Sequence, residues 1–247
     1  MESINRATCI NNFSVKEILN IFFNNKEETT YYYVFLIIGI YLTLPLISVL
    51  SEKRYKGVLW YTVISFFVFN SFIPVICSFL GISYNNNLTI QIGSYLFFVI
   101  LGYLLSNEDF TKKKRIIIYI LGILSVLFRY IITYYLSIKS NELVRTFFGY
   151  TQFHSILLAT AVFIFVKNIN WDKLLNDKLK NILFKISSCS FAIYLIHKII
   201  MYYELSVLNL KVNSWQWRTI GAILTYFICL TIVYILKKIP IVKKVVA

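Results

Sequence analysis

Arg129, His154 and His197 are ionisable side chains set inside long apolar runs, and any chemistry this chain performs is to be sought around them. Arg129 lies in GILSVLFRYIITYYL, His154 in GYTQFHSILLATAVFIF and His197 in ISSCSFAIYLIHKIIMYY. An Arg at the centre of a membrane helix costs about 2.5–3.5 kcal/mol on insertion scales, so such residues are paired, wet or functional. Ser125 and Thr133 flank Arg129 at i−4 and i+4, which puts the three on one helical face. That face looks into a bundle or a wet cavity, or else the Arg snorkels to the interface among Tyr130, Tyr134 and Tyr135. Ser187, Ser190, Tyr194 and His197 fall at spacings of 3, 4 and 3, a single polar stripe on an apolar helix. Such a stripe is either interhelical hydrogen-bonding glue or the lining of a cavity that holds His197. Tyr150 precedes His154 by one turn, and His154 reads as a structural hydrogen-bonding residue or as a further cavity member. Arg129, Tyr150, Ser187, Ser190, Tyr194 and His197 are therefore the candidate lining of a substrate cavity.

The elements that must position these residues are membrane helices. Seven apolar stretches reach the roughly 20 residues that a bilayer core of about 30 Å requires: about 31–50, 57–81, 88–105, 116–137, 146–166, 186–203 and 219–236. The expected fold is all-α, a polytopic transmembrane bundle of about seven spans, with residues 1–30 as a polar N-terminal segment and 31–247 as the membrane domain. Pro74 in FFVFNSFIPVICSF is expected to kink the second span, with Asn70 at i−4 available to the backbone groups that it frees.

Composition agrees. Hydrophobic residues make up 58% of the chain, charged residues 15%, and the mean hydropathy is +0.69. A soluble domain carries roughly 25% charged residues. The net charge of +14 comes from clusters of Lys and Arg between apolar runs, which is topology information and a match for anionic lipid, not a nucleic-acid surface. Basic residues crowd 51–56, 107–115, 167–181 and 237–247, and the intervening loops are poor in them. The positive-inside rule then places the rich loops and the C-terminus in the cytoplasm and residues 1–30 outside. With no signal peptide to export that segment, an odd number of spans is expected before Met1. On these directions Arg129, His154 and His197 share a mid-to-outer depth, which suggests one polar cavity. Richness in Ile, Phe, Tyr, Asn and Lys points to an A+T-rich bacterial genome and a multi-pass protein of the cytoplasmic (inner) membrane. Cys9, Cys77, Cys189 and Cys229 form no CxxC pair, and no metal site, P-loop, GxSxG elbow or intramembrane acidic pair is present.

SFAIYLIHKII (190–200) resembles the late-helix signature of the acyltransferase family 3 membrane acyltransferases, YYYVFLIIGIYLTLPLI (31–47) resembles a span in the middle of that domain, and FFGYTQFHSILLATAVFIF resembles the span preceding the late helix. The resemblance runs in order along nearly the whole chain. It implies a ten-helix bundle that transfers an acyl group, typically acetyl, from acyl-CoA (acetyl-CoA) to hydroxyls of cell-envelope polysaccharides, lipid-linked sugars or antibiotics, with no bound cofactor. It also implies that the catalytic His and Arg of the family lie in first helices without a counterpart here, so that the chain is inactive alone. The resemblance makes His197 the His of the late motif, which is not the family's catalytic base, and leaves His154 and His197 as substitute bases for taking the acceptor's proton. Tyr33-Val34-Phe35 stands where Trp-Phe is common. The alternative is a non-enzymatic transporter-like or flippase-like protein handling envelope glycans, for which the matched broken helices of inverted repeats are missing.

Overall fold

The computed structural model describes residues 32–208, 212 and 214–239. Among these, every regular element is helical. Five helices are long and apolar enough to cross a membrane: α1 (Tyr32–Leu50), α2 (Lys53–Leu80), α4 (Lys112–Ser140), α6 (Asp177–Leu208) and α7 (Trp217–Leu236). Two shorter apolar helices, α3 (Ser94–Ser106) and α5 (Phe153–Lys167), complete the seven, each where the sequence shows an apolar stretch. The polar N-terminal segment expected at residues 1–30 lies outside the described residues.

α3 and α5 begin several residues later than apolarity alone suggests. Before α3, Asn86–Leu88 form a single 3₁₀ turn closed by the Asn85 side chain, and extended backbone leads to Gly93. Before α5, α4 ends at Asn141 in the left-handed conformation (φ 53°), which the short Asn side chain tolerates. The chain then runs as a loop to Gln152. Apolar residues in both loops belong to the depth of the span without belonging to its helix.

Pro74 does disturb α2. Its missing N–H and its ring displace the i→i−4 ladder, and Phe67–Phe72 widen into a π-helical turn immediately before it. The Asn70 side chain does not serve its own helix. It donates through Nδ2 to the Ile90 carbonyl (2.9 Å) and accepts the Ile90 amide at Oδ1 (2.8 Å), pinning the loop before α3. The Tyr84 hydroxyl takes up the Phe69 carbonyl of the bulge (2.8 Å).

Contacts divide the chain into two compact units, one ending at Ile169 and one starting at Asn170. The first has its core where α2, α3 and α5 meet, around Leu59, Val63, Phe66, Phe97, Leu104, Ile156 and Ile164, with Phe66 and Phe97 stacked at 4.3 Å. α4 lies along α5 at close range, because a Cβ on Gly122 would stand 2.5 Å from the Ala161 Cβ. Small facing residues of this kind let membrane helices approach. The second unit is the α6–α7 hairpin, held by Cys189, Ala192, Ile193, Cys229 and Val233.

Three Lys-rich segments meet at one end of the first unit. Lys56 pairs with Glu108 (2.6 Å), the Tyr103 hydroxyl donates to the Ser51 carbonyl, Lys167 donates to the carbonyls of Leu105 and Glu108, and Arg115 bonds Asn168. The basic segments around 51–56, 107–115 and the start of 167–181 thus gather at one end of this unit.

Candidate functional site

His197 stands on α6 with its Nδ1 against the Tyr194 carbonyl. A carbonyl only accepts, so Nδ1 carries a ring hydrogen there, and in the neutral ring the lone pair then belongs to Nε2. Among the described residues nothing bonds Nε2, and His197 lines a cavity of about 630 Å³ within the second unit. Ser190 and Tyr194 line it from the same helix face, as do Ile193 and Met201; Trp217, Arg218, Ala222, Thr225 and Tyr226 close it from the far side of the hairpin. Three of the four stripe residues therefore meet there. Ser187, at the exposed start of the stripe, does not line the cavity. Gly221 lies in the π-helical turn that opens α7, and a Cβ there would collide with the Trp217 indole. The missing side chain is what lets that ring turn against the helix and wall the cavity. Lys237 ties the other end of the hairpin by donating to the Ser188 carbonyl (2.7 Å).

One residue of this face escapes a reading by spans. Glu204 continues the stripe 190–194–197–201–204, but it sits beyond the expected end of the sixth span. α6 runs on to Leu208, and Glu204 is buried, 8% exposed. Thr225, a cavity residue on α7, bonds it through Oγ1 and also reaches the Gly221 carbonyl, while Glu204 Oε1 is buried without a partner. The period of seven between His197 and Glu204 was the available signal.

His154 is placed quite differently. It is 2% exposed and ringed by Phe128, Phe147 and Phe153. Its Nε2 meets the Phe147 carbonyl (3.1 Å) and its Nδ1 is buried with no partner. Around it, Gln152 accepts the Gly149 amide (3.1 Å) and donates to the Thr146 carbonyl (2.7 Å), and Ser155 donates to the Gly149 carbonyl (2.9 Å). These side chains supply the partners that non-helical backbone at membrane depth must have. His154 is a latch on the loop before α5. Tyr150, in the same loop, stacks on Tyr95 (5.3 Å, 23°). Arg129 lines a separate cavity of the first unit, with its guanidinium carbon 4.9 Å over the Phe148 ring. Outside the spans, the hydrogen bond from Lys56, aided by Trp60, holds the Glu108 carboxyl below its ordinary range. No cluster of His, Cys, Asp and Glu fit to hold a metal occurs among the described residues.

The fold and the cavity define a multi-pass α-helical membrane protein with a polar face of one helix turned into an apolar recess. Its family is shown by comparison: the model of acyltransferase family 3, described as an acyltransferase domain, matches residues 26–234. That is more than half of the chain, which belongs to this family. No curated protein and no solved structure matches it.

Proposed function

We propose that this chain transfers an acyl group, acetyl foremost, from acyl-CoA to a hydroxyl of a cell-envelope polysaccharide or lipid-linked sugar at a bacterial cytoplasmic membrane. Family membership supports the reaction class. The observation that carries the site is the placement of His197, with Nδ1 on the Tyr194 carbonyl and Nε2 without a partner among the described residues, on the wall of the hairpin cavity. In this reading His197 is the substitute base and the chain transfers the group itself, where the resemblance alone implies inactivity, and the acceptor hydroxyl donates to Nε2. Its oxygen attacks the thioester carbonyl, the carbon–sulfur bond breaks, and the hydroxyl proton ends on the CoA thiol. Trp217 and Tyr226 offer flat apolar walls for a sugar ring, and Ser190 and Arg218 offer polar groups at its edge. Acyl-CoA enters as a substrate from the side of the Lys-rich loops, which the positive-inside rule makes cytoplasmic. No resident cofactor takes part.

The test uses membranes of cells that make the chain, supplied with acetyl-labelled acetyl-CoA. The expected result is alkali-labile label on envelope glycan, absent from membranes lacking the chain and lost in His197→Ala. No label above the background of membranes without the chain overturns the acyl-transfer reading, and translocation of a lipid-linked glycan without acylation would favour the transporter-like alternative.

A further inference from the structure

We infer that the cavity beside Arg129 binds the phosphate of a membrane amphiphile, a phosphate ester carried on a hydrocarbon tail. This cavity is built within the first unit, measures about 450 Å³ and is walled by Val126, Arg129, Thr133, Leu143 and Phe148, with tyrosines at its edge. A guanidinium carries five N–H donors in its plane, and stacking over Phe148 engages its face and leaves that edge for another group. Among the described residues of this unit the ion pairs are Arg54–Glu52, Lys56–Glu108 and Lys167–Asp109, all in the Lys-rich segments, and none of them involves Arg129. One turn further along α4, the Thr133 hydroxyl is buried with no hydrogen-bond partner.

A cation without an ion pair among the described residues and an unfilled hydroxyl on one helix face, in a recess with apolar walls, describe the ligand. It is an anion with at least three acceptor oxygens, attached to hydrocarbon. A phosphate monoester meets the guanidinium fork with two oxygens and keeps a third for Thr133, a phosphodiester turns an ester oxygen to Thr133, and a carboxylate would have to share one of its two oxygens between the fork and the hydroxyl. The depth agrees. Arg129 lies 11 residues (140 − 129) before the end of α4 at Ser140, about 17 Å along a helix rising 1.5 Å per residue. Exposed Tyr130, Tyr134 and Tyr135 surround it, the residue type that marks the headgroup level. The same chemistry is offered by bulk phospholipid and by a lipid-linked sugar phosphate. The inference needs neither His197 nor acyl transfer.

The experiment is native mass spectrometry of the full chain released from lipid nanodiscs, with phosphatidylglycerol, polyprenyl phosphate and phosphate-free diacylglycerol as probes. Wild type is expected to retain one phosphate-bearing lipid about ten-fold or more over diacylglycerol, the scale of a charge-assisted hydrogen bond. Arg129→Gln should lose that preference, and Arg129→Lys should keep only part of it. Leu143→Trp, which fills the recess and leaves the Arg in place, should lose it too and decides the matter if Arg129→Gln does not fold. Preferential retention of polyprenyl phosphate identifies the lipid-linked source, and equal retention of both phosphate lipids identifies bulk phospholipid; either supports the site. Retention of diacylglycerol as well as phosphate lipid, or undiminished preference in both Arg129→Gln and Leu143→Trp, overturns it.

Discussion

The two histidines of this chain occupy opposite situations. In the first unit, His154 is sealed among three phenylalanines with its Nε2 committed to the Phe147 carbonyl. In the hairpin of the second, His197 commits Nδ1 to its own helix and turns Nε2 to a cavity. The residue type is the same and each is embedded in an apolar run, so sequence context alone does not separate them. What separates them is the backbone nearby. A broken helix needs side chains to satisfy its carbonyls, and His154, Gln152 and Ser155 are spent on that. α6 is an unbroken helix whose carbonyls are paired along its own ladder, so Nε2 of His197 is not drawn off to the backbone.

Substitutions should split along that line. His197→Gln is expected to give the largest effect, a loss of acyl transfer of about 10²-fold or more, the lower range for positioned acid–base groups, with little change in melting temperature. His154→Leu should do the reverse, costing about 1–3 kcal/mol of stability through an orphaned Phe147 carbonyl while activity per folded molecule holds. Thermal melts in detergent beside transfer assays check both, and equal behaviour of the two variants would break the comparison. Thr225→Val should take from Glu204 its hydroxyl partner at the cavity side and lower stability by about 1–2 kcal/mol. Asn70→Ala, removing a second latch of the His154 kind, should cost about 1 kcal/mol and loosen the loop around Ile90, seen as faster amide exchange there.

The smallest effect concerns pH. Glu108 has a depressed pKa in the folded chain, so its contribution is present above the ordinary carboxylate range and is lost as pH falls through the lower folded value. Melting temperature should therefore slip on the acid side, below pH about 4, and slip less in Glu108→Gln.

Much of the fold was legible in the sequence because lipid imposes a length and an apolarity on each span. Each of the seven apolar stretches holds one of the seven apolar helices, while of the stripe Ser187, Ser190, Tyr194 and His197 the last three line one recess and Ser187 does not. Helix starts were less legible. Apolar residues at 88–93 and 146–152 look like helix but form loops, since apolarity does not mark the side chains that make a loop tolerable at that depth, whether 20 residues away (Asn70 for Ile90) or close by (Gln152 and His154 for 146–149). Asn70 was assigned to its own helix for the same reason: local i−4 bonding is readable, whereas a bond 20 residues away is not. Glu204 was lost because a hydropathy window ends at a charge, although the helical period ran straight through it.

Chemical modification of the two histidines in folded protein tests this account most directly. Diethyl pyrocarbonate attacks an exposed imidazole lone pair, and mass spectrometry of membranes containing the chain reads each residue's rate separately. The account predicts that His197 is carbethoxylated about ten-fold faster than His154 or more, the margin of a lone pair opened on a cavity over one sealed in the core, and that loss of acyl transfer follows His197. Modification of His154 at the same rate, or loss of activity while His197 stays unmodified, would contradict it.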